Sequence, residues 1–254
     1  VVVGYANNEV GTIQPVAEIG ARCRERGIRY VVDATQAAAY LPIEVDPLQA
    51  DVLGISGHKI EGPKGIGALF VRQGTNVIPQ QSGGSQERQR RAGTENVAGA
   101  VGLAAALRLA RGDAAAAAAE SDRQRGLRDA LIGRLSEITD GELTGHPTAR
   151  LPNSVSWAFE AVEGGDLIAA LDLEGLAAST GSACTSGSAE PSHVLQAMGV
   201  APDRIRGSLR LTLGRTTTSE EVDRAAELVT TCVTRVRAAA APLPAKVGVA
   251  PAGA

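Results

Sequence analysis

The sequence predicts an α/β protein, with a mainly parallel sheet in the first part of the chain and a smaller α+β unit after it. Three observations lead there. Strand-like and helix-like signals alternate over residues 1–72, and the strand-like runs are apolar throughout instead of alternating. A polar break at Arg111-Gly112-Asp113 then separates this region from a more mixed pattern. Apolar strands with a helix between the first two belong in a sheet covered on both faces.

Taken in order, Val1–Gly4 is a short β-branched run. Pro15 opens a helical pattern through Val16, Ile19 and Cys23 that stops at Gly27, with proline at the start and glycine at the end. Ile28–Val32 is a second strand closed by Asp33, Val52–Ile55 a third closed by Ser56, and Ile66–Val71 a fourth. A polar, arginine-rich loop follows over residues 83–93, then an alanine-rich helix over Val97–Leu109. Asp113 can cap the next, long helix, which runs to about Ile138. Beyond it come a strand around Val155–Phe159, a helix from Gly165 through Leu171, a Gly/Ser/Thr-rich loop over Ser179–Ser188, a strand at Leu209–Leu213 and an amphipathic helix over Ser219–Arg237. The expected division is 1–112, 113–237 and a disordered Ala/Pro/Gly-rich tail over 238–254. The chain opens on a strand with no initiator Met, which points to sequence upstream.

Composition narrows the function classes. A chain of 254 residues that is 44% hydrophobic can bury one large core or two modest ones. A formal net charge of -3 and the lack of a basic, aromatic-bearing stretch argue against direct nucleic-acid binding. The longest apolar run, Ala114–Ala119, is alanine only, which forms helix and does not span a membrane. A cytoplasmic location is the default expectation. Three cysteines, with no C-x-x-C pair, make neither a disulfide framework nor a metal spacing. Lysine occurs only at 59, 64 and 246.

Six positions can carry chemistry. Asp33 closes an apolar strand, where ligands of open α/β sheets sit, and a carboxylate there can hold a cationic ring nitrogen. From its position alone it reads more readily as a turn or helix N-cap aspartate. The next strand delivers Ser56-Gly57-His58-Lys59, in which a lysine at a strand mouth can lose basicity and form a Schiff base, and the serine and histidine can donate to a phosphate. The bland alternative is a surface lysine. The Gly62-Pro63-Lys64-Gly65 run does not fit a nucleotide P-loop. Cys184 lies in a run of small polar residues, where a thiol is accessible, whereas Cys23 and Cys232 fall on apolar helix stripes as core fillers. Arg210 interrupts a strand and is costly inside unless it meets an anion; it also reads as solvent-facing.

Several segments occur in the order found in NifS/IscS-like cysteine desulfurases. They are Asn7-Asn8-Glu9-Val10-Gly11-Thr12, Val32-Asp33-Ala34-Thr35-Gln36, Ser56 through Gly65, Arg91-Ala92-Gly93-Thr94-Glu95-Asn96 and Ser182-Ala183-Cys184-Thr185-Ser186. From about Val1 to Arg237 the chain resembles this family, fold-type I pyridoxal-phosphate (PLP) enzymes of the class V aminotransferase superfamily. The resemblance implies that residues 1–112 belong to the large PLP-binding domain and 113–237 to the small C-terminal one. It implies that Lys59 is the Schiff-base lysine, that Asp33 pairs with the pyridine nitrogen, and that Asn8 and Gln36 contact the ring and its phenolic oxygen. Ser56 and His58 would hold the phosphate, Thr94 would reach the phosphate of the other subunit of a homodimer, and Arg210 would bind the substrate carboxylate. The implied reaction turns L-cysteine into L-alanine and leaves a persulfide on Cys184. That sulfur would pass to an acceptor protein, an iron–sulfur scaffold or a tRNA-thiolation enzyme.

The family's N-terminal third, with a phosphate-binding Gly-x-Thr turn and a ring-stacking histidine, is not among these residues. The expectation is therefore that chain 1–254 alone is poorly stable and weakly active or inactive. Two other readings stand beside this one. The first is a different class V PLP enzyme, such as a selenocysteine lyase, aminotransferase or racemase. The second is a truncated, non-catalytic unit that dimerises or binds sulfur acceptors.

Overall fold

Two sheets organise the chain, in a computed structural model that describes residues 1–181 and 191–240. The first contains β1 (Val2–Gly4), β2 (Val31–Asp33), β3 (Val52–Ser56) and β4 (Gly67–Val71), side by side in that order. β1 pairs with β2 and β2 with β3 in parallel, whereas β4 returns antiparallel to β3. The register aligns Asp33 with Gly4 on one side and Gly54 on the other, so the carboxyl ends of β1, β2 and β3 lie at one edge.

Helix α1 (Val16–Glu25) covers one face of this sheet, burying Val16 and Cys23 against Tyr30, Val32, Leu48 and Leu53. The helix ends as its glycine predicts. Gly27 at φ 63° lets the Gly27 amide reach Arg24 O at 3.1 Å and the Ile28 amide reach Cys23 O at 2.8 Å. That cap corrects one strand boundary. Because the Ile28 amide closes the helix, the second strand begins at Val31 and leaves Ile28 41% exposed. The expectation of two covered faces also fails among the described residues. Val2 is 73% and Leu69 59% exposed on the face opposite α1, since no described element packs over them.

The second sheet, β5 (Gly141–Leu143), β6 (Ser154–Phe159) and β7 (Ser208–Thr212), is antiparallel throughout. Its apolar face, with Val155, Trp157, Phe159, Leu209 and Leu211, packs on three helices, α4 (Ala114–Leu135), α5 (Gly164–Leu173) and α8 (Ser219–Ala240). Cys232 is buried in that core and Cys23 in the first. The alternate face of β6 and β7 carries Ser154, Ser156, Ser208 and Arg210 and turns toward the loop after β1. Asp113 caps α4 as its sequence context implies, accepting from the amides of Ala115 and Ala116.

Short elements escaped the sequence pattern. These are β5, a 3-10 turn at Gly57–Lys59, a single turn α2 (Gln86–Gln89) with left-handed Glu87 and Arg88, α6 (His193–Ala197) and α7 (Pro202–Arg206). Helix α3 (Val97–Arg111) joins the two sheets' regions and is capped by the Asn96 side chain on Gly99 N. Helix α8 runs three residues past Arg237, and residues 241–254 lie outside the described ones.

Candidate active site

The carboxyl ends of β2 and β3 place the acid and the lysine at the same sheet edge. Asp33 is exposed there, and its Oδ1 accepts from Thr35 N at 2.9 Å, a local turn bond of the kind the bland reading foresees. Ser56 ends β3, and the 3-10 turn that follows carries His58 and Lys59, both exposed. Ser56 Oγ and His58 Nδ1 lie 2.8 Å apart. When the hydroxyl donates this hydrogen bond and Nδ1 accepts it, the neutral imidazole carries its hydrogen on Nε2, which is left as a donor. Among the described residues, Lys59 has no hydrogen-bond or ion-pair partner, so its amine is uncommitted.

Two cavities flank the end of β3. One, of about 410 Å³, is a depression on the uncovered sheet face, lined by Val31, Asp33, Thr35, Gly54, Gly67 and Leu69. The other, of about 540 Å³, lies between α3, α4 and the Lys59 turn, with Tyr40, Lys59, Glu61, Glu120 and Arg215 in its wall. The structure thus sets the acid and the amine on neighbouring strand ends but lining different cavities. Burial, then Glu61, pushes the Tyr40 phenol above its usual range.

The loop after β1 is held by the C-terminal half at almost every residue. Arg210 Nη1 donates to Asn8 O at 2.8 Å and, more weakly, to Gly181 O at 3.4 Å. Ser192 Oγ donates to the buried Glu9 carboxylate at 2.5 Å, and Arg150 Nη2 to Val10 O at 2.9 Å. Leu151 N donates to Gly11 O, His146 N to Thr12 Oγ1, and Ile13 N to Ala149 O. Inside the loop, Asn7 Oδ1 accepts from the amides of Glu9 and Val10. Gly11 is needed at φ 72°, because a Cβ there would sit 2.8 Å from Ser154 Oγ.

The other expected positions fall as follows. Asn8 is half-buried in this joint, and Gln36 is half-buried in the turn after β2. Thr94 is exposed in the loop before α3. Arg210 is half-buried on β7 and meets two carbonyls instead of a carboxylate. Cys184 falls in 182–190, outside the described residues. Sequence reasoning missed Arg150, Arg128 and Ser192. Glu9 stood inside a motif already singled out, but its neighbours Asn7, Asn8, Val10, Gly11 and Thr12 give no local signal that the carboxylate is buried.

The residues fit pyridoxal phosphate as one share of its contacts. A free primary amine suits its aldehyde, the Asp33 carboxylate its ring nitrogen, and the hydroxyl–imidazole pair its phosphate. Among the described residues, no group of three His, Cys, Asp or Glu side chains could hold a metal. No described helix is long and apolar enough to cross a membrane.

Comparison with known proteins gives consistent matches. The family model for aminotransferase class-V matches residues 1–225. The chain is 52% identical over 234 residues to a protein from Methanosarcina thermophila named cysteine desulfurase IscS, covering 92% of this chain and 57% of that one. Among solved structures, the NifS-like protein from Rickettsia africae ESF-5 superposes with a TM-score of 0.82 at 28% identity, covering 91% of this chain and 61% of that one. A second, SspA solved in complex with cysteine, gives a TM-score of 0.67 at 31% identity, covering 85% and 59%. The chain therefore spans about three fifths of the length of the relatives it matches.

Proposed function

The chain belongs to the aminotransferase class-V family, and from that premise we propose that it forms part of a PLP-dependent cysteine desulfurase. The observation that carries the reading is the placement of the Asp33 carboxylate at the end of β2 and of the uncommitted Lys59 amine in the turn just after the adjacent parallel β3, beside a loop tied to Arg210. The names of its relatives support the reaction class. On this reading the protein is a cytoplasmic homodimer, built from a PLP-binding part over 1–112 and a smaller part over 113–237. Sulfur leaves it for an iron–sulfur scaffold or a tRNA-thiolation enzyme.

Lys59, Asp33, Asn8, Gln36, Ser56 and His58 would hold the cofactor, with Thr94 contributing to the partner subunit's site. When bound, pyridoxal phosphate supplies an electron sink for bond changes at the substrate's α-carbon. The chain's own groups do the rest. Arg210 binds the carboxylate of L-cysteine; its side-chain bonds run from Nη1, which leaves Nε and Nη2 for that task. The Lys59 amine takes the α-proton and returns it. The Cys184 thiol gives its proton to solvent and attacks the substrate sulfur as the thiolate; the carbon–sulfur bond breaks with its electron pair to carbon, a solvent proton adds there to complete L-alanine, and the sulfur stays on Cys184 as a persulfide.

The test measures sulfide and alanine formed from L-cysteine with saturating PLP, in chain 1–254 and in a fusion carrying the N-terminal two fifths of the Methanosarcina relative. Weak turnover in the first, faster turnover in the second, and loss of sulfide in Cys184→Ala are expected. Full-rate sulfide release by Cys184→Ala would favour a different class V reaction. A fusion that loads PLP yet releases no sulfide would overturn the proposal.

A further inference from the structure

Arg150 is 3% exposed, yet no carboxylate touches it. Its Nη2 donates to Val10 O at 2.9 Å and to Thr144 O at 3.0 Å, while Nε and Nη1 have no partner among the described residues. A buried guanidinium without a counter-charge is costly and persists only where the surrounding structure compensates. Asp129, the acid whose charge reaches it, is engaged by Arg128 at 2.7 Å. Burial first, and then Arg128, push the Arg150 pKa down to about 10, so the side chain keeps its charge at neutral pH.

Arg128 provides the comparison. It is also 3% exposed, but its Nη1 donates to the carbonyls of Arg150 and Leu151, on the C-terminal side of the seam. Arg150 alone of the pair crosses to the loop after β1, 140 positions away, and grips it two residues from Asn8. Its own backbone forms a bridge with Thr12 at the far end of the same loop.

We infer that Arg150 is a positioning residue, whose hold on the Val10 and Thr144 carbonyls sets where Asn8 stands at the candidate site and thereby tunes a cofactor that Asn8 contacts. The second half of this statement rests on the proposed PLP site; the first does not. Each half has its own readout.

Hydrogen exchange is measured in chain 1–254 carrying Arg150→Met, Arg150→Lys or Arg128→Met. In Arg150→Met, the amides of Glu9, Val10 and Gly11, all bonded to Asn7 in the parent, are expected to exchange about tenfold faster relative to those of α8, as befits loss of a charge-assisted bond. Arg150→Lys, which keeps the charge and can reach one carbonyl, should fall between. Arg128→Met should speed exchange throughout without singling out the loop. Loop amides that keep pace with α8 in Arg150→Met and Arg150→Lys alike would overturn the inference.

The second readout is the pH at which the visible absorbance of bound PLP changes, taken at saturating cofactor. It should move in the Arg150 variants and stay put in Arg128→Met. An unmoved transition beside a loosened loop would overturn the tuning of the cofactor. Absence of any PLP band in the parent chain would count against the cofactor site, and exchange would still decide the positioning.

Discussion

Arg210 donates from Nη1 to the backbone carbonyl of Asn8 at 2.8 Å, joining two residues 202 positions apart. This bond ties the polar face of the small sheet to the loop that leaves the first strand of the large one. The residue proposed to bind substrate thus also fixes the loop proposed to touch the cofactor.

Because a lysine offers a compact point charge instead of a planar fork, Arg210→Lys cannot hold Asn8 O and a bidentate carboxylate together. Steady-state kinetics of the active protein should show KM for L-cysteine rising about tenfold or more, with a smaller change in kcat. An unchanged KM would remove Arg210 from the substrate site.

Asp33 has a structural bond, Oδ1 to Thr35 N at 2.9 Å, that an asparagine can also accept. Asp33→Asn therefore separates the turn role from the charge role. Urea unfolding should change by less than about 0.5 kcal/mol, while PLP affinity falls by about 1.5–3 kcal/mol, the range for hydrogen bonds to charged groups. Equal PLP affinity would mean that Asp33 is a turn residue only.

Gly11→Ala puts a Cβ 2.8 Å from Ser154 Oγ at a backbone φ of 72°. A loss of about 1–3 kcal/mol in unfolding free energy is expected from the conformational strain alone. Denaturant titration of the variant beside the parent chain checks it, and wild-type stability would contradict the joint described for residues 7–13.

Tyr30 is buried, donates its hydroxyl to Val16 O at 3.0 Å, and is pushed up to about 12 by burial, then by Cys23 and Tyr5. A raised folded-state pKa stabilises the fold fully below the unfolded value of about 10. That contribution is lost as pH rises from about 10 through about 12. Unfolding followed from pH 9 to 12 should show stability falling across this window, and Tyr30→Phe should flatten the fall. A slope identical in Tyr30→Phe would assign the loss to other groups.

Much of this was legible in the sequence because it rests on local signals. The apolar runs ending at Asp33 and Ser56 gave β2 and β3 their carboxyl ends, and Pro15 and Gly27 bracketed α1. Asp113 announced the start of α4. What stayed hidden depends on contacts distant in sequence. Nothing around Arg150 in Thr148-Ala149-Arg150-Leu151 distinguishes a buried tie from a surface arginine; only the approach of Val10, 140 positions earlier, does so. Ser192 caps the short α6, which the sequence pattern missed, through Leu195 N, and its second partner Glu9 lies 183 residues away. The uncovered face at Val2 and Leu69 was misread because apolar strands report the need for a cover and not its source.

The role of Lys59 is tested most directly by reducing chain 1–254 with borohydride at limiting PLP and mapping the cofactor's added mass by peptide mass spectrometry. With lysine only at 59, 64 and 246, the outcome is discrete. The mass should appear on the peptide containing Lys59, even where occupancy is low, and vanish in Lys59→Arg. Mass on Lys64 or Lys246 in preference, or on no lysine at all, would contradict the cofactor site.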